Sequence, residues 1–263
     1  MPLLFSRASN NVCVSTALAE EVTVNYRVNP NKVSIIQNYY DLDSLVKKSE
    51  EHIPEKYQFL KDKNYLVAVG RLHSQKGYSA LIELYSVIKE DINTSLVIVG
   101  SGDLLEDLIK ECIDLNLRPC VIEDTPPDAD FDVYFLGYVK NSLPIVSHAK
   151  MFLLTSFWEG FPNVLIEAMA AKTLVLASDC PTGPSEILIS HDLSGNSVES
   201  NTYGILLPTL ENKADFVLWR DAILKYHSDS TEKQEIIKKA FSSLDRFSRI
   251  NSIDKWRDII NGK

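Results

Sequence analysis

Short apolar runs alternate with helical stretches along most of this 263-residue chain, and that rhythm limits the fold more than any other feature. The runs are Val12 to Ser15, Val33 to Ile36, Tyr65 to Val69, Leu96 to Val99, Val133 to Leu136, Met151 to Leu154, Leu174 to Ala177 and Ile205 to Leu207. Helical patterns fill the intervals at Thr16 to Tyr26, Tyr78 to Glu90, Asp103 to Leu115, Ser142 to Ala149, Asn163 to Lys172 and Gly183 to Ile189. Such an order is the signature of a parallel sheet with helices on both faces, so the expected class is α/β with a Rossmann-like doubly wound sheet. From Lys213 onward the pattern is wholly helical and predicts a C-terminal helical extension. Two stretches interrupt the rhythm and read as surface loops: the acidic Arg118 to Asp132, with Pro126-Pro127, and the Ser-, Asn- and Gly-rich His191 to Thr202.

In a doubly wound sheet, ligands bind where strands end and helices begin. The segment Glu159-Gly160-Phe161-Pro162-Asn163-Val164-Leu165-Ile166-Glu167 holds two carboxylates around one such junction. Gly160 and Pro162 break regular structure, and Asn163 is suited to cap the helix that follows. The first turn of that helix offers free N–H groups and a positive dipole end, where a phosphate would sit. The two carboxylates are acceptors for hydroxyls on either side of such a phosphate, an arrangement that matches a nucleotide-sugar. A glycosidase-like acid and base pair is an alternative and needs carboxyls roughly 5 to 9.5 Å apart. On one helix their backbones would lie ~12 Å apart, but the loop interrupts the helix and the spacing does not decide. The simplest alternative is a surface Glu followed by a Glu that serves the helix dipole.

Other loops carry weaker signals. After Val69 comes Gly70-Arg71-Leu72-His73-Ser74-Gln75-Lys76-Gly77, a glycine turn with two cations directly before a helix. Arg71 presents a fork of donors to phosphate oxygens and Lys76 a point charge, although two such cations also occur as plain surface charge. The Gly-Lys-Ser/Thr ending of a P-loop is absent. Gly100-Ser101-Gly102-Asp103 lacks the third glycine of a dinucleotide fingerprint and reads as a tight turn with Asp103 as helix cap. Cys180-Pro181-Thr182-Gly183-Pro184-Ser185-Glu186 is a rigid turn or a ligand-facing one. Asp41-Leu42-Asp43 and Asp128-Ala129-Asp130 match the Asp-x-Asp pattern that some sugar transferases use to hold a metal, but read better as cap and solvated-loop residues. His73, His148 and His191 show no ligand spacing, and no metal is expected.

Taken in order, Gly70-Arg71-Leu72 with Lys76-Gly77, then Phe135-Leu136-Gly137-Tyr138-Val139, then Glu159-Gly160-Phe161-Pro162 with Glu167-Ala168-Met169-Ala170, resemble the donor-binding half of family 4 retaining glycosyltransferases of the GT-B fold. The resemblance runs from Val33 to Pro208 and continues more loosely to Arg246-Phe247-Ser248 and Trp256. It implies that Arg71 and Lys76 hold the diphosphate of a UDP- or GDP-sugar. Glu159 and the backbone amides that follow it in the stretch Gly160-Phe161-Pro162-Asn163 would meet the donor sugar, Glu167 the ribose, and Tyr138 to Lys140, with Val139, would lie near the base. Arg71, Lys76 and Glu159 would then be the catalytic set, with Gly70 beside them and neither metal nor cofactor. It further implies that 33–208 is the nucleotide-sugar-binding domain and 209–263 its helical extension. Residues 1–32 would be the last strand and helix of an acceptor-binding domain that is otherwise missing. Two rivals are a sugar-nucleotide epimerase on the same fold and a non-catalytic donor subunit that works with a separate acceptor-binding chain.

Composition narrows the partners. With 45% hydrophobic residues the chain can bury a sizeable core, and its net charge of -9 argues against a nucleic-acid partner. Residues 231–263 run against that trend, with eight Lys or Arg against five Asp or Glu. They form either solvated amphipathic helices or a peripheral contact with an anionic membrane, beside the saccharide acceptor. No apolar run approaches a transmembrane span and no leader is evident, so the cytoplasm, at most the inner face of a membrane, is the expected compartment. Cys13, Cys112, Cys120 and Cys180 are too scattered for a zinc site or disulfide framework.

Overall fold

In the computed structural model, which describes residues 5, 7–122, 127, 129–189 and 202–261, the central element is a seven-stranded sheet with every pair of neighbours parallel. Its strands are β3 (Tyr65–Val69), β4 (Ser95–Val99), β5 (Pro119–Val121), β6 (Val133–Phe135), β7 (Met151–Leu154), β8 (Val175–Ser178) and β9 (Ile205–Leu207), in the spatial order β5-β6-β4-β3-β7-β8-β9. A separate parallel pair, β1 (Asn11–Cys13) with β2 (Val33–Ile35), precedes it. The strand at Val33 therefore pairs backward with Asn11, across the expected boundary at residue 32, and does not enter the large sheet.

The apolar runs form these strands because both faces are covered. Along each central strand, alternate side chains enter one of two cores. Tyr65, Val67, Val97, Tyr134, Phe152, Leu154 and Val175 join one. Leu66, Ala68, Leu96, Ile98, Val133, Phe135, Met151 and Leu153 join the other. Buried aromatics find acceptors for their polar tips: Tyr57 and Tyr65 donate to the carbonyls of Leu136 and Ile145 at 3.0 and 2.6 Å, and the Trp219 indole donates to Pro208 at 2.8 Å.

Helices α1 (Thr16–Asn25), α2 (Leu42–Ser49), α3 (Tyr78–Ile92), α4 (Leu105–Asp114), α5 (Leu143–His148), α6 (Asn163–Ala170) and α7 (Pro184–Leu188) link the strands, and α8 (Phe216–His227), α9 (Thr231–Ser242) and α10 (Arg249–Ile260) form the C-terminal extension. None is long and apolar enough to cross a membrane, among the described residues. Ser15 caps α1 by accepting from the Leu18 amide, and Glu186 accepts from the amides of Thr16 and Ala17 at 2.9 and 3.0 Å. Glu186 thus ties the N-terminal segment to the α7 region.

Two expectations change. The acidic stretch Arg118 to Asp132 is not wholly loop, since Pro119–Val121 pairs with β6 at the sheet edge, where a proline costs no ladder bond. The other expected loop, His191 to Thr202, lies outside the described residues apart from Thr202, as do Pro126 and Asp128. Asp103 does not cap its helix, which begins at Leu105 without a side-chain cap.

Two left-handed glycines separate strain from contact. Gly77 and Gly137 have φ of 65° and 68°, but a Cβ on Gly77 would lie 2.2 Å from the Thr155 carbonyl oxygen, while one on Gly137 meets nothing within 4 Å. Gly137→Ala is expected to cost about 1 to 2 kcal/mol, the usual strain of that conformation, and Gly77→Ala distinctly more. Urea denaturation of both variants checks this, and equal losses would refute the contact argument.

Candidate functional site

The chain runs outward from β3 through β4 to β5 at the edge, comes back to β6 between β5 and β4, then crosses to the other side of β3 as β7, so the topological switch point lies between the C-terminal ends of β3 and β7. The loops that leave these two strands hold the residues singled out in the sequence. Gly70, Arg71 and the short 3-10 turn Ser74–Lys76 follow β3, and Thr155 to Pro162 follow β7.

Backbone contacts bind these loops together. Gly70 donates to Val99, Leu72 to Ser101 and Gly100 to Gly137 at 2.8 to 2.9 Å. Glycine is required here, since a Cβ on Gly100 or Gly102 would fall 1.9 or 2.3 Å from the carbonyl oxygens of Gly70 or Leu72. Across the switch point Phe157 donates to Gln75, Gln75 donates through its side chain to Trp158, and the Thr155 hydroxyl donates to the Lys76 carbonyl.

At the centre, Lys76 Nζ donates to Glu159 Oε1 at 2.6 Å, with side chains 17% and 8% exposed. Ser156 Oγ donates to the same oxygen at 2.6 Å, and Thr182 donates to the Glu159 carbonyl. Thr182 holds φ of 65°, an uncommon state for a β-branched residue, and Gly183 beside it packs against Pro162 and Gly160. The turn at Cys180 to Glu186 therefore forms one wall of the loop Glu159 to Pro162. Burial and the Glu159 carboxylate push the Cys180 thiol up to about 12, which keeps it protonated. Lys76 lies over Gly70, where an added Cβ would be 3.1 Å from Lys76 Cε and 3.0 Å from the Tyr78 hydroxyl.

Two clefts open at this edge. One, of ≈ 630 Å³, is lined by Gly70, Arg71, Gly100, Gly102, Tyr138 and Val139. The other, of ≈ 660 Å³, is lined by Lys48, Glu51, Tyr57, Tyr138, Val139 and Glu167 among others, so the exposed Tyr138 and the half-buried Val139 divide them. Arg71 approaches Asp103 at 3.6 Å, but both are exposed, and a pair of this kind is worth at most about 1 kcal/mol. Arg71 remains free to turn toward a ligand. Burial raises the Glu167 carboxyl above its ordinary value, with Lys48 acting in the opposite direction.

Asn163 does not act as the N-cap. Pro162 occupies that position and Asn163 begins α6, with Oδ1 accepting from Asn38 Nδ2 at 2.9 Å and Tyr40 Oη at 2.6 Å. Tyr40 is held by its amide, which donates to Phe247, and Phe247 packs edge-on against Phe161 at 5.8 Å. Asn38, Tyr40, Thr182 and Ser156 are the site residues that sequence reasoning missed as individuals. Only Thr182 lay in a stretch that had drawn attention. Of the Asp-x-Asp matches, Asp41 caps α2 by accepting from Ser44 and Asp130 pairs with Lys63, while Asp128 lies outside the described residues. No three His, Cys, Asp or Glu side chains cluster as a metal site among the described residues.

Residues 49–206 match the model of glycosyl transferases group 1, more than half of the chain. The chain belongs to this family. It is 34% identical over 176 residues to an uncharacterized glycosyltransferase of Methanocaldococcus jannaschii, covering 66% of this chain and 40% of that protein. It is 31% identical over 185 residues to the N-acetylgalactosamine-N,N'-diacetylbacillosaminyl-diphospho-undecaprenol 4-alpha-N-acetylgalactosaminyltransferase of Campylobacter jejuni, covering 70% and 45%. The chain thus spans under half the length of these two curated relatives. Its fold matches solved GT-B glycosyltransferases, among them Anabaena HepE in complex with UDP-glucose, at a TM-score of 0.74 and 17% identity over 99% of this chain and 66% of that one.

The burial of the central ion pair means that Lys76 is not the plain surface charge its sequence context also allowed. Lys76→Met is expected to cost about 2 kcal/mol, because Glu159 keeps its charge without its cation, and Lys76→Met with Glu159→Gln to recover most of that. Denaturant unfolding of both variants measures it, and a Lys76→Met protein as stable as wild type would show that the pair is solvated. A second expectation concerns pH. The unfolded Glu167 carboxyl titrates near 4.5 and the folded one higher, so the stability its protonated form retains is lost as pH rises through the folded value. Glu167→Gln should therefore be the more stable protein at neutral pH, with the difference shrinking below pH 4.5. Paired unfolding curves from pH 4 to 7 show this, and a constant difference would exclude it.

Proposed function

We propose that this chain is the nucleotide-sugar-binding half of a retaining glycosyltransferase, which moves a glycosyl group from a UDP- or GDP-sugar to an acceptor saccharide. The observation that carries this reading is the buried Lys76–Glu159 pair at the switch point, flanked by Arg71 and by the N-terminus of α6. A nucleotide diphosphate brings two negative charges and a sugar brings hydroxyls, and these are the groups that a lysine, an arginine, free amides and a carboxylate recognise. Lys76 transfers from Glu159 to the diphosphate when donor binds, and Glu159 is released to accept from sugar hydroxyls. The base enters the cleft beside Tyr138, with the ribose on Glu167.

Bond cleavage between the anomeric carbon and the diphosphate places charge on the departing oxygen, where Arg71, Lys76 and the α6 amides stabilise it. The acceptor oxygen attacks from the same face, and its proton passes to the leaving diphosphate, so the configuration is retained and no enzyme nucleophile is used. These fixed charges act where other transferases use a metal, so a divalent cation is not required. The acceptor wall comes from sequence outside residues 1–263, on the same or a separate chain. The named substrate of the Campylobacter relative supports a lipid-linked saccharide as acceptor, and with it a place for residues 231–263 near a membrane.

UDP or GDP at ~100 times its dissociation constant should stabilise the chain by ~2.7 kcal/mol, in EDTA as in buffer, whereas uridine or guanosine should not. Arg71→Ala should keep its stability within about 0.5 kcal/mol while losing affinity. Thermal-shift and calorimetric titrations decide between outcomes. No response to either diphosphate would remove the donor-site reading, and a response only with added manganese or magnesium would replace it with a metal-dependent one.

A further inference from the structure

The opposite edge of the sheet carries a second charged cavity that the donor reading does not use. It holds ≈ 290 Å³ at the N-terminal ends of β3, β7 and β8, a strand length of about 17 Å from the switch-point clefts. Lys61, Lys63, Lys150, Lys172 and Lys233 line it, with Asp229 as the acid. In a chain of net charge -9, this accumulation of cations runs against the overall composition.

Most of these lysines are fixed in place. Lys233 has a side chain only 4% exposed and pairs with Asp229 at 3.3 Å. Lys63 pairs with Asp130. Lys172 adopts φ of 56° and sets its ammonium 4.9 Å from the centre of the Phe241 ring. Lys61 and Lys150 form no salt bridge among the described residues, and Lys150 is close enough to Lys233 to disfavour its charge, although burial is the larger cause and Asp229 opposes both. The carbonyl ends of Glu55–Asp62, α5 and α6 converge here and attract cations, which accounts for lysines on the rim. That attraction does not call for a buried ammonium with a second cation beside it. A multivalent anion does, because it relieves the repulsion and accepts several charge-assisted hydrogen bonds at once.

We propose that this cavity is an anion-binding site, separate from the nucleotide clefts, that takes a compact phosphate-bearing small molecule between Lys61, Lys150, Lys172 and Lys233. Helix α6 spans the two sites, with Asn163 at the donor end and Lys172 just past its last turn.

Inorganic phosphate is the probe, titrated by calorimetry at an ionic strength held constant with sodium chloride. Three proteins are compared: wild type, Arg71→Ala, and Lys61→Gln with Lys150→Gln, whose side chains take no part in ion pairs among the described residues. Wild type and Arg71→Ala are expected to bind phosphate saturably and alike, the double variant about tenfold or more weakly, with its UDP affinity unchanged. Absence of saturable binding in wild type, or equal binding by the double variant, overturns the proposal. Loss of phosphate binding in Arg71→Ala with retention in the double variant also overturns it, and assigns the anion to the nucleotide cleft.

Discussion

Parallel strands cannot be joined by a tight turn, so every connection in the large sheet must climb back over a face before the next strand begins. That constraint puts all seven C-terminal ends on one edge and all the returning helices on the faces. The loops after β3, β4, β6 and β7 therefore meet although they are far apart in sequence. The chain's reversal from β6 to β7 leaves a crevice beside β3, and glycines at 77, 100 and 102 let the loop backbones close around it. Lys76 and Glu159 come together through this arrangement, with Arg71 on the same edge of the sheet.

The site is organised before any ligand arrives. Lys76 and Glu159 neutralise one another, Ser156 and Thr182 hold the Glu159 loop in place, and Tyr40 with Phe247 fixes the start of α6. On the donor reading proposed above, a diphosphate entering here would exchange one anion for another around Lys76, and the attraction of the resting pair would be subtracted from its affinity. Glu167 contributes in the opposite sense, since its burial is unfavourable in the free protein and a hydroxyl donor would relieve it. The C-terminal extension acts on the site through Phe247, which packs behind Phe161 and accepts from the Tyr40 amide.

Much of this was legible in the sequence where burial on both faces leaves an unbroken apolar run. Tyr65–Val69, Met151–Leu154 and Ile205–Leu207 have the bounds their composition suggests. Pro119–Val121 escaped because an edge strand can carry proline and exposed positions, which look like loop. Helix Leu42–Ser49 showed only its cap at Asp41, since its periodicity is too short to stand out. The loop residues Gly70, Arg71, Lys76 and Glu159 and the helix residue Glu167 were visible as residue types after strands, but their pairings were not. Asn163 has the chemistry of a cap and lost that role to tertiary partners at Asn38 and Tyr40, and Asp103 lies toward Arg71 instead of capping. Such outcomes depend on side chains more than a hundred positions away or on a neighbouring loop, which local pattern does not encode.

The pairing of β3 with β7 also sets a clock. Leu66 lies opposite Met151, so one edge of β3 waits for 85 further residues before its partner exists. At about 5 to 20 residues per second, a ribosome takes roughly 4 to 17 s to supply them. During that interval β3 and β4 can pair, since Leu66 and Leu96 are close in sequence, but the other edge presents unpaired backbone and the apolar side chains of the future core. The sheet that places the site so well therefore makes its central strand the part of the newborn chain most in need of shelter, by a chaperone or by the speed of synthesis itself.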